Sequence, residues 1–242
     1  MTTLVVLAKE CIPGKVKTRL HPPFSLEQAA TIAAASLDDT IAALASLPVQ
    51  RRILCFDGDV APDSAAGYEV VQQVAGGLDE RLGAIFDAVE GPMVLVGMDT
   101  PQLDAAMLAP IAQAWPEGVD AWFGPALDGG FWTLALADVP ARGDLIRGVP
   151  MSRDDTGALQ RARLVEAGLG VRDLESLQDV DDADALAAVV ARIPSSRTAT
   201  AVRATGVRIG GSGQSGGSAG NEPSPRPTSG RTPDLDATSG VR

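Results

Sequence analysis

The sequence predicts an α/β fold, a three-layer α/β/α sandwich around a mostly parallel sheet. Three observations lead there. Short β-branched or aliphatic runs recur along the chain, longer segments of helical periodicity alternate with them, and the Ala-, Leu- and Val-rich composition with only 4% aromatic residues implies a core of aliphatic packing.

The strand-like runs are Leu4–Leu7, Arg51–Phe56, Glu69–Val74, Met93–Gly97, Asp120–Phe123, Phe131–Leu136 and Gly170–Leu174. The clearest helical pattern is Ser25–Leu47, where Ser25 and Gln28 have capping-box spacing and Ala30, Ala33, Leu37, Ile41 and Leu44 share one face. Further helices are expected at Leu78–Val89, Asp104–Trp115, Thr156–Ala167 and Asp182–Ile193. In sheets built this way ligands bind beyond the carboxyl ends of the strands.

Residues 1–194 suit one domain. Residues 195–242 are dominated by Gly, Ser, Thr, Pro and Arg, and are expected to form a disordered tail because they hold too little apolar surface to fold. The body carries 14 Lys and Arg against 28 Asp and Glu, and the tail 6 against 3. An acidic body argues against specific nucleic-acid or anionic-membrane binding. No apolar run reaches the ~18 residues of a membrane span and the N-terminus lacks a basic secretion-signal region, so a cytoplasmic location is expected. Cys11 and Cys55 lack metal-ligand spacing and should be reduced thiols.

Against this acidic background Lys9, Lys15, Lys17 and Arg19 fall within eleven positions, where an even spread would put about one cation. Pro13-Gly14 turns the chain there and exposes backbone N–H groups, so Lys9, Gly14, Lys15, Lys17 and Arg19 are candidates for binding phosphate. Asp99 follows an apolar strand through Gly97 and is stopped by Pro101, which sets a carboxylate at the mouth of the sheet. It is a candidate ligand of Mg2+ or Mn2+; the competing reading is that Asp99 and Thr100 cap the following helix. Asp179, Asp181, Asp182 and Asp184 crowd the start of another helix. Capping accounts for one or two of them, leaving Asp179 and Asp181 as further metal candidates.

Asp128-Gly129-Gly130 has the composition of a hairpin turn, or else its glycines admit a ligand while Asp128 binds acceptor hydroxyls or a metal-bound water. The polar run Ser152–Thr156 suits capping or an acceptor pocket, and His21, the only histidine, reads as a surface residue. The stretch Ile53–Val60 fits a strand followed by Asp-x-Asp, with Asp57 and Asp59 in the pattern of haloacid-dehalogenase-like phosphatases, but it sits on the second strand rather than the first.

Val6-Leu7-Ala8-Lys9, Pro13–Leu20, Gly97–Pro101 and Asp128–Trp132, taken together and in order, resemble a bacterial family of glycosyltransferase-A-like proteins of undefined substrate. The family is similar in design to 2-phospholactate guanylyltransferase and molybdenum-cofactor guanylyltransferase. The resemblance covers about Leu4 to Leu186. It implies a Rossmann-like nucleotide-diphospho-sugar transferase fold, nucleotide phosphates on the basic loop, Asp99 as metal ligand, and Asp179-Val180-Asp181 as the late acidic motif. The chain departs from the family pattern at Gly76–Arg81 and at Met151, which bears on acceptor recognition.

The expected function is metal-dependent transfer from a nucleoside triphosphate or nucleotide-sugar to a small molecule, with Lys17, Arg19, Asp99 and Asp128 carrying the chemistry. The alternatives are the phosphatase reading and a non-catalytic nucleotide-binding protein.

Overall fold

The computed structural model describes residues 2–113 and 115–210. All seven expected strands are present: β1 (Thr3–Lys9), β2 (Arg51–Asp57), β3 (Glu69–Gln72), β4 (Met93–Gly97), β5 (Ala121–Pro125), β6 (Phe131–Leu136) and β7 (Val171–Asp173). They form one sheet in the order β3-β2-β1-β4-β6-β5-β7. Only β6 runs against its neighbours. The carboxyl ends of β1, β4 and β5 therefore meet the start of β6 along one edge.

The five expected helices are α1 (Leu26–Leu44), α2 (Leu78–Ala88), α3 (Ala105–Ala112), α4 (Thr156–Glu166) and α5 (Ala183–Arg192). At the head of α1 the Ser25 hydroxyl accepts from the Gln28 N–H at 3.2 Å while the Gln28 side chain accepts from the Ser25 N–H at 2.9 Å, completing the capping box.

Strand side chains alternate between the two faces. On one face Leu4, Val6, Leu54, Val94 and Val96 pack with Ala33, Leu37, Ile41 and Leu44 of α1 and with Leu108 and Ile111 of α3. On the other, Val5, Ile53 and Leu95 meet Leu82, Ile85 and Phe86 of α2 and Leu164 of α4. Each such fully buried side chain contributes about 1.5–3 kcal/mol before entropy is counted. The three-layer sandwich is as expected.

The domain boundary differs from expectation. The fold continues past Pro194 into α6 (Arg197–Ala204), which rests with α5 on the outer side of α1 through Ala29, Ile32, Leu186, Val189 and Val202. Asp39 of α1 fastens it, accepting from the Thr198 N–H at 2.8 Å, the Thr198 hydroxyl at 2.7 Å and the Arg197 N–H at 3.1 Å. Small residues suffice for this contact, which is why composition pointed to a tail. The rest of that expected tail, residues 211–242, lies outside the described residues. No helix among the described residues is long and apolar enough to cross a membrane.

Candidate functional site

A cleft of about 720 Å3 opens at the carboxyl edge of the sheet. Lys9 ends β1, and the loop beyond it carries Lys17 and Arg19 over the edge. Lys17 has the left-handed conformation φ 47°, ψ 39°, which costs a non-glycine residue roughly 1 kcal/mol and turns its side chain inward. Its ammonium lies 2.9 Å from Asp99 Oδ2 and 2.9 Å from Asp181 Oδ1, and Arg19 reaches Asp181 Oδ2 at 3.2 Å.

The carboxylates come from three segments that the backbone ties together. Beyond β4 the Met98 carbonyl accepts from the buried Ser36 hydroxyl of α1 at 3.0 Å, which sets the exit towards Asp99. The segment after β7 is drawn alongside β5, with the Leu177 N–H donating to the Pro125 carbonyl at 3.1 Å and the Leu127 N–H to the Leu177 carbonyl at 3.0 Å. The Val180 N–H then donates to the Asp99 carbonyl at 2.9 Å. One carboxylate oxygen from each of Asp128, Asp179 and Asp181 thereby falls within 4.8 Å of the others.

The electrostatics of this group are uneven. Burial, then the neighbouring Asp128 and Asp181 charges, push the Asp179 carboxyl up to about 6. Burial acts the same way on Asp181, but Lys17, followed by Arg19 and Lys9, outweighs it and holds Asp181 below the usual carboxylate range. Burial opposes the Lys17 charge, and Asp99 and Asp181 more than offset it, so its pKa stands above the ordinary lysine value. Among the described residues, Asp99 Oδ1 and Asp179 Oδ1 are buried without a hydrogen-bond partner. Such under-compensated oxygens in a hard-ligand set suit a divalent cation such as Mg2+ or Mn2+.

The structure sorts the sequence-predicted residues. Lys9, Lys17, Arg19, Asp99, Asp128, Asp179 and Asp181 all line the cleft, whereas Gly14 and the exposed Lys15 do not. The inward turn buries Lys17 and leaves Arg19 exposed, yet both reach Asp181. Asp99 pairs with Lys17 and lies outside the group of three, whose third member is Asp128. Helix capping does not explain Asp99, because Asp104 caps α3; Asp182 caps α5 and is thereby accounted for.

Of the two glycines after Asp128, Gly129 serves close backbone packing, while Gly130 lines the cleft. The Gly157 N–H donates to the Gly129 carbonyl at 2.8 Å, and a Cβ on Gly129 would stand 1.9 Å from the Asp154 carbonyl oxygen. His21 is an exposed loop residue, as expected, and Cys11 and Cys55 are free thiols. Asp57 is paired with Arg81 at 2.8 Å, and neither it nor Asp59 lines the cleft. Sequence reasoning missed Gln73, whose amide donates to the Ala8 and Cys55 carbonyls at 2.8 and 3.1 Å and closes the cleft beside β1. The sequence pattern placed Gln73 inside the strand, which ends at Gln72.

Residues 40–153 match the model of an uncharacterized protein family conserved in bacteria, DUF2064. That match includes Asp99 and Asp128 and stops short of both Lys17 and the Asp179–Asp181 segment. No curated protein matches the chain. A structure from Desulfovibrio desulfuricans G20, provisionally named a nucleotide-diphospho-sugar transferase, is similar with a TM-score of 0.71 at 23% identity, over 84% of this chain and 94% of that one. A nucleotidyl transferase from Methanothermobacter is similar with a TM-score of 0.51 at 18% identity, over 84% and 99%. A homolog of Rv0371c from Mycobacterium sp. strain JC1 gives a TM-score of 0.52 at 22% identity, over 84% and 98%. The fold is that of the nucleotide-diphospho-sugar transferases.

Proposed function

We propose that the chain is a divalent-metal-dependent transferase that takes a nucleoside triphosphate or a nucleotide-sugar as donor and passes a nucleotidyl or glycosyl group to a small-molecule acceptor. The observation that carries this reading is the meeting, in one cleft, of three carboxylate oxygens within 4.8 Å of one another with cations from a separate loop. That combination suits a metal-bound polyphosphate.

Asp128, Asp179 and Asp181 would hold Mg2+ or Mn2+, whose charge, when bound, offsets the charge developing on the departing phosphate. Arg19, with its side chain 73% exposed, is free to swing onto donor phosphates, and Lys9 lines the cleft at the end of β1. In nucleotidyl transfer an acceptor oxygen attacks the α-phosphorus and pyrophosphate leaves. In glycosyl transfer an acceptor hydroxyl attacks the anomeric carbon and a nucleoside phosphate leaves. The side chains position the reactants and balance charge in either case.

The test is a thermal-shift screen of nucleoside triphosphates and nucleotide-sugars, with MnCl2 or MgCl2 and with chelator. A donor should raise the melting temperature only when metal is present, and Asp128→Asn and Asp179→Asn should each remove that rise. An equal rise in chelator, or in both variants, overturns the reading. Metal-dependent binding without release of pyrophosphate or nucleoside phosphate in the presence of acceptors would leave a binding protein in its place.

A further inference from the structure

Lys17 was expected to grip phosphate, yet its surroundings are those of an internal counter-ion. Its side chain is 7% exposed, against 73% for Arg19 two residues on. Its ammonium sits 2.9 Å from one oxygen of Asp99 and 2.9 Å from one oxygen of Asp181, so two of its donors are already committed to carboxylates. Val16, 1% exposed, and the 3.0 Å hydrogen bond from the Leu20 N–H to the Lys17 carbonyl hold its backbone in place. A phosphate oxygen would find only the third N–H uncommitted, on a side chain already held by two carboxylates.

Asp181 belongs to two arrangements at once. It is the shared partner of Lys17 and Arg19, and it is a member of the acidic group with Asp128 and Asp179. A divalent cation in that group would draw on Asp181 and stand close to the ammonium, where two positive charges repel in a partly desolvated site. Asp99, outside the group, gives the ammonium somewhere to stay.

We infer that Lys17 is a positioning residue: a built-in cation that holds Asp181 and Asp99 while the acidic group is metal-free, and gives up Asp181 as a divalent ion arrives. It therefore sets the affinity of the group for metal, and gripping the donor falls to Arg19. This inference rests on the metal-dependent reading above.

The experiment uses the full chain and MnCl2 alone, by calorimetry. Lys17→Met keeps the length of the side chain and removes the charge, and it should bind Mn2+ at least tenfold more tightly than the wild type. Lys17→Arg, which restores a cation, should return to within about threefold of the wild type. Unchanged Mn2+ affinity in Lys17→Met, whether or not its melting temperature falls, overturns the inference and leaves the metal-dependent reading standing. No Mn2+ binding by any of the three proteins overturns both.

A second measurement needs no variant. Amine acylation of wild-type Lys17, followed by peptide mass spectrometry, should be slow in chelator and several-fold faster in MnCl2, as the ammonium is released. Labelling that is unchanged or slowed by Mn2+ overturns the inference.

Discussion

The Val180 N–H donates to the Asp99 carbonyl at 2.9 Å, joining the exit of β4 to a segment about eighty residues further along the chain. Val180 itself is 1% exposed and packs with Phe24, Ile32 and Leu186. The bond and the packing together set the flanking Asp179 and Asp181 against Asp99 and Lys17.

Val180→Ala keeps the N–H and loses only methyl groups, so it should cost roughly 1–2 kcal/mol of stability and leave Mn2+ affinity within about threefold. Val180→Pro also removes the donor and leaves the Asp99 carbonyl unpaired, adding about 1–3 kcal/mol and lowering Mn2+ affinity at least tenfold. Urea denaturation and calorimetry would separate the two. Equal metal affinity in both variants would show that the bond does not align the site.

Asp179 gives the metal-free protein a pH dependence whose sign can be worked out. Its carboxyl stands at about 6 in the fold against an ordinary 3.8, raised by burial and then by Asp128 and Asp181. The folded state therefore holds this proton more tightly, and the stability it brings is full below about pH 4 and lost as pH rises to about 6. In chelator at pH 7.5, Asp179→Asn should be more stable than the wild type by on the order of 1 kcal/mol after solvent screening, and the advantage should shrink as pH falls from about 6 towards 4. Denaturation series at several pH values measure this, and a destabilised Asn variant at pH 7.5 would contradict it.

The central strands were legible because they are short aliphatic runs whose two faces are both covered by helices, as with Leu4, Val5 and Val6. The convergence of Lys17, Asp99 and Asp181 was legible from position alone, since each follows or overhangs a strand's carboxyl end. Which oxygens gather was not legible. That depends on the pairing of Leu127 with Leu177, which brings Asp128 rather than Asp99 into the acidic group, and no local pattern encodes such a pairing. The direction of Lys17 was hidden for a related reason: its left-handed backbone is imposed by packing around Val16 and Leu20. The α6 helix escaped notice because its buried residues are Thr198, Ala199 and Val202, too small to stand out in a polar segment, although Ser196 at its head bonds the Ala199 N–H at 3.0 Å.

Gly157 holds the Asp128 turn against the start of α4. A Cβ there would meet the Gly130 carbonyl oxygen at 2.4 Å and the Gly129 carbonyl oxygen at 3.0 Å. Gly157→Ala must push the turn away, so it should destabilise by about 1–3 kcal/mol despite alanine's better helix propensity. Mn2+ affinity should fall with it, because Asp128 moves relative to Asp179 and Asp181. Thermal melts and calorimetry test both parts, and a stabilised Ala variant would show that the close contact is not a constraint.

The α6 helix makes a prediction that turns on where the domain ends. Thr198 is fully buried, Ala199 is 3% exposed and Val202 is 6% exposed, and three hydrogen bonds end on the Asp39 carboxylate. Cutting the chain after Pro194 should uncover the outer side of α1 at Ala29 and Ile32 and leave the largely buried Asp39 without its donors. Water would then reach the uncovered carboxylate, so the loss is that of the contact area and of the net worth of three hydrogen bonds. The truncated protein should lose several kcal/mol. Asp39→Ala in the full chain should lose about 1–3 kcal/mol, because it removes the charge along with its bonds. A truncated protein that melts with the full chain would restore the boundary that composition suggested.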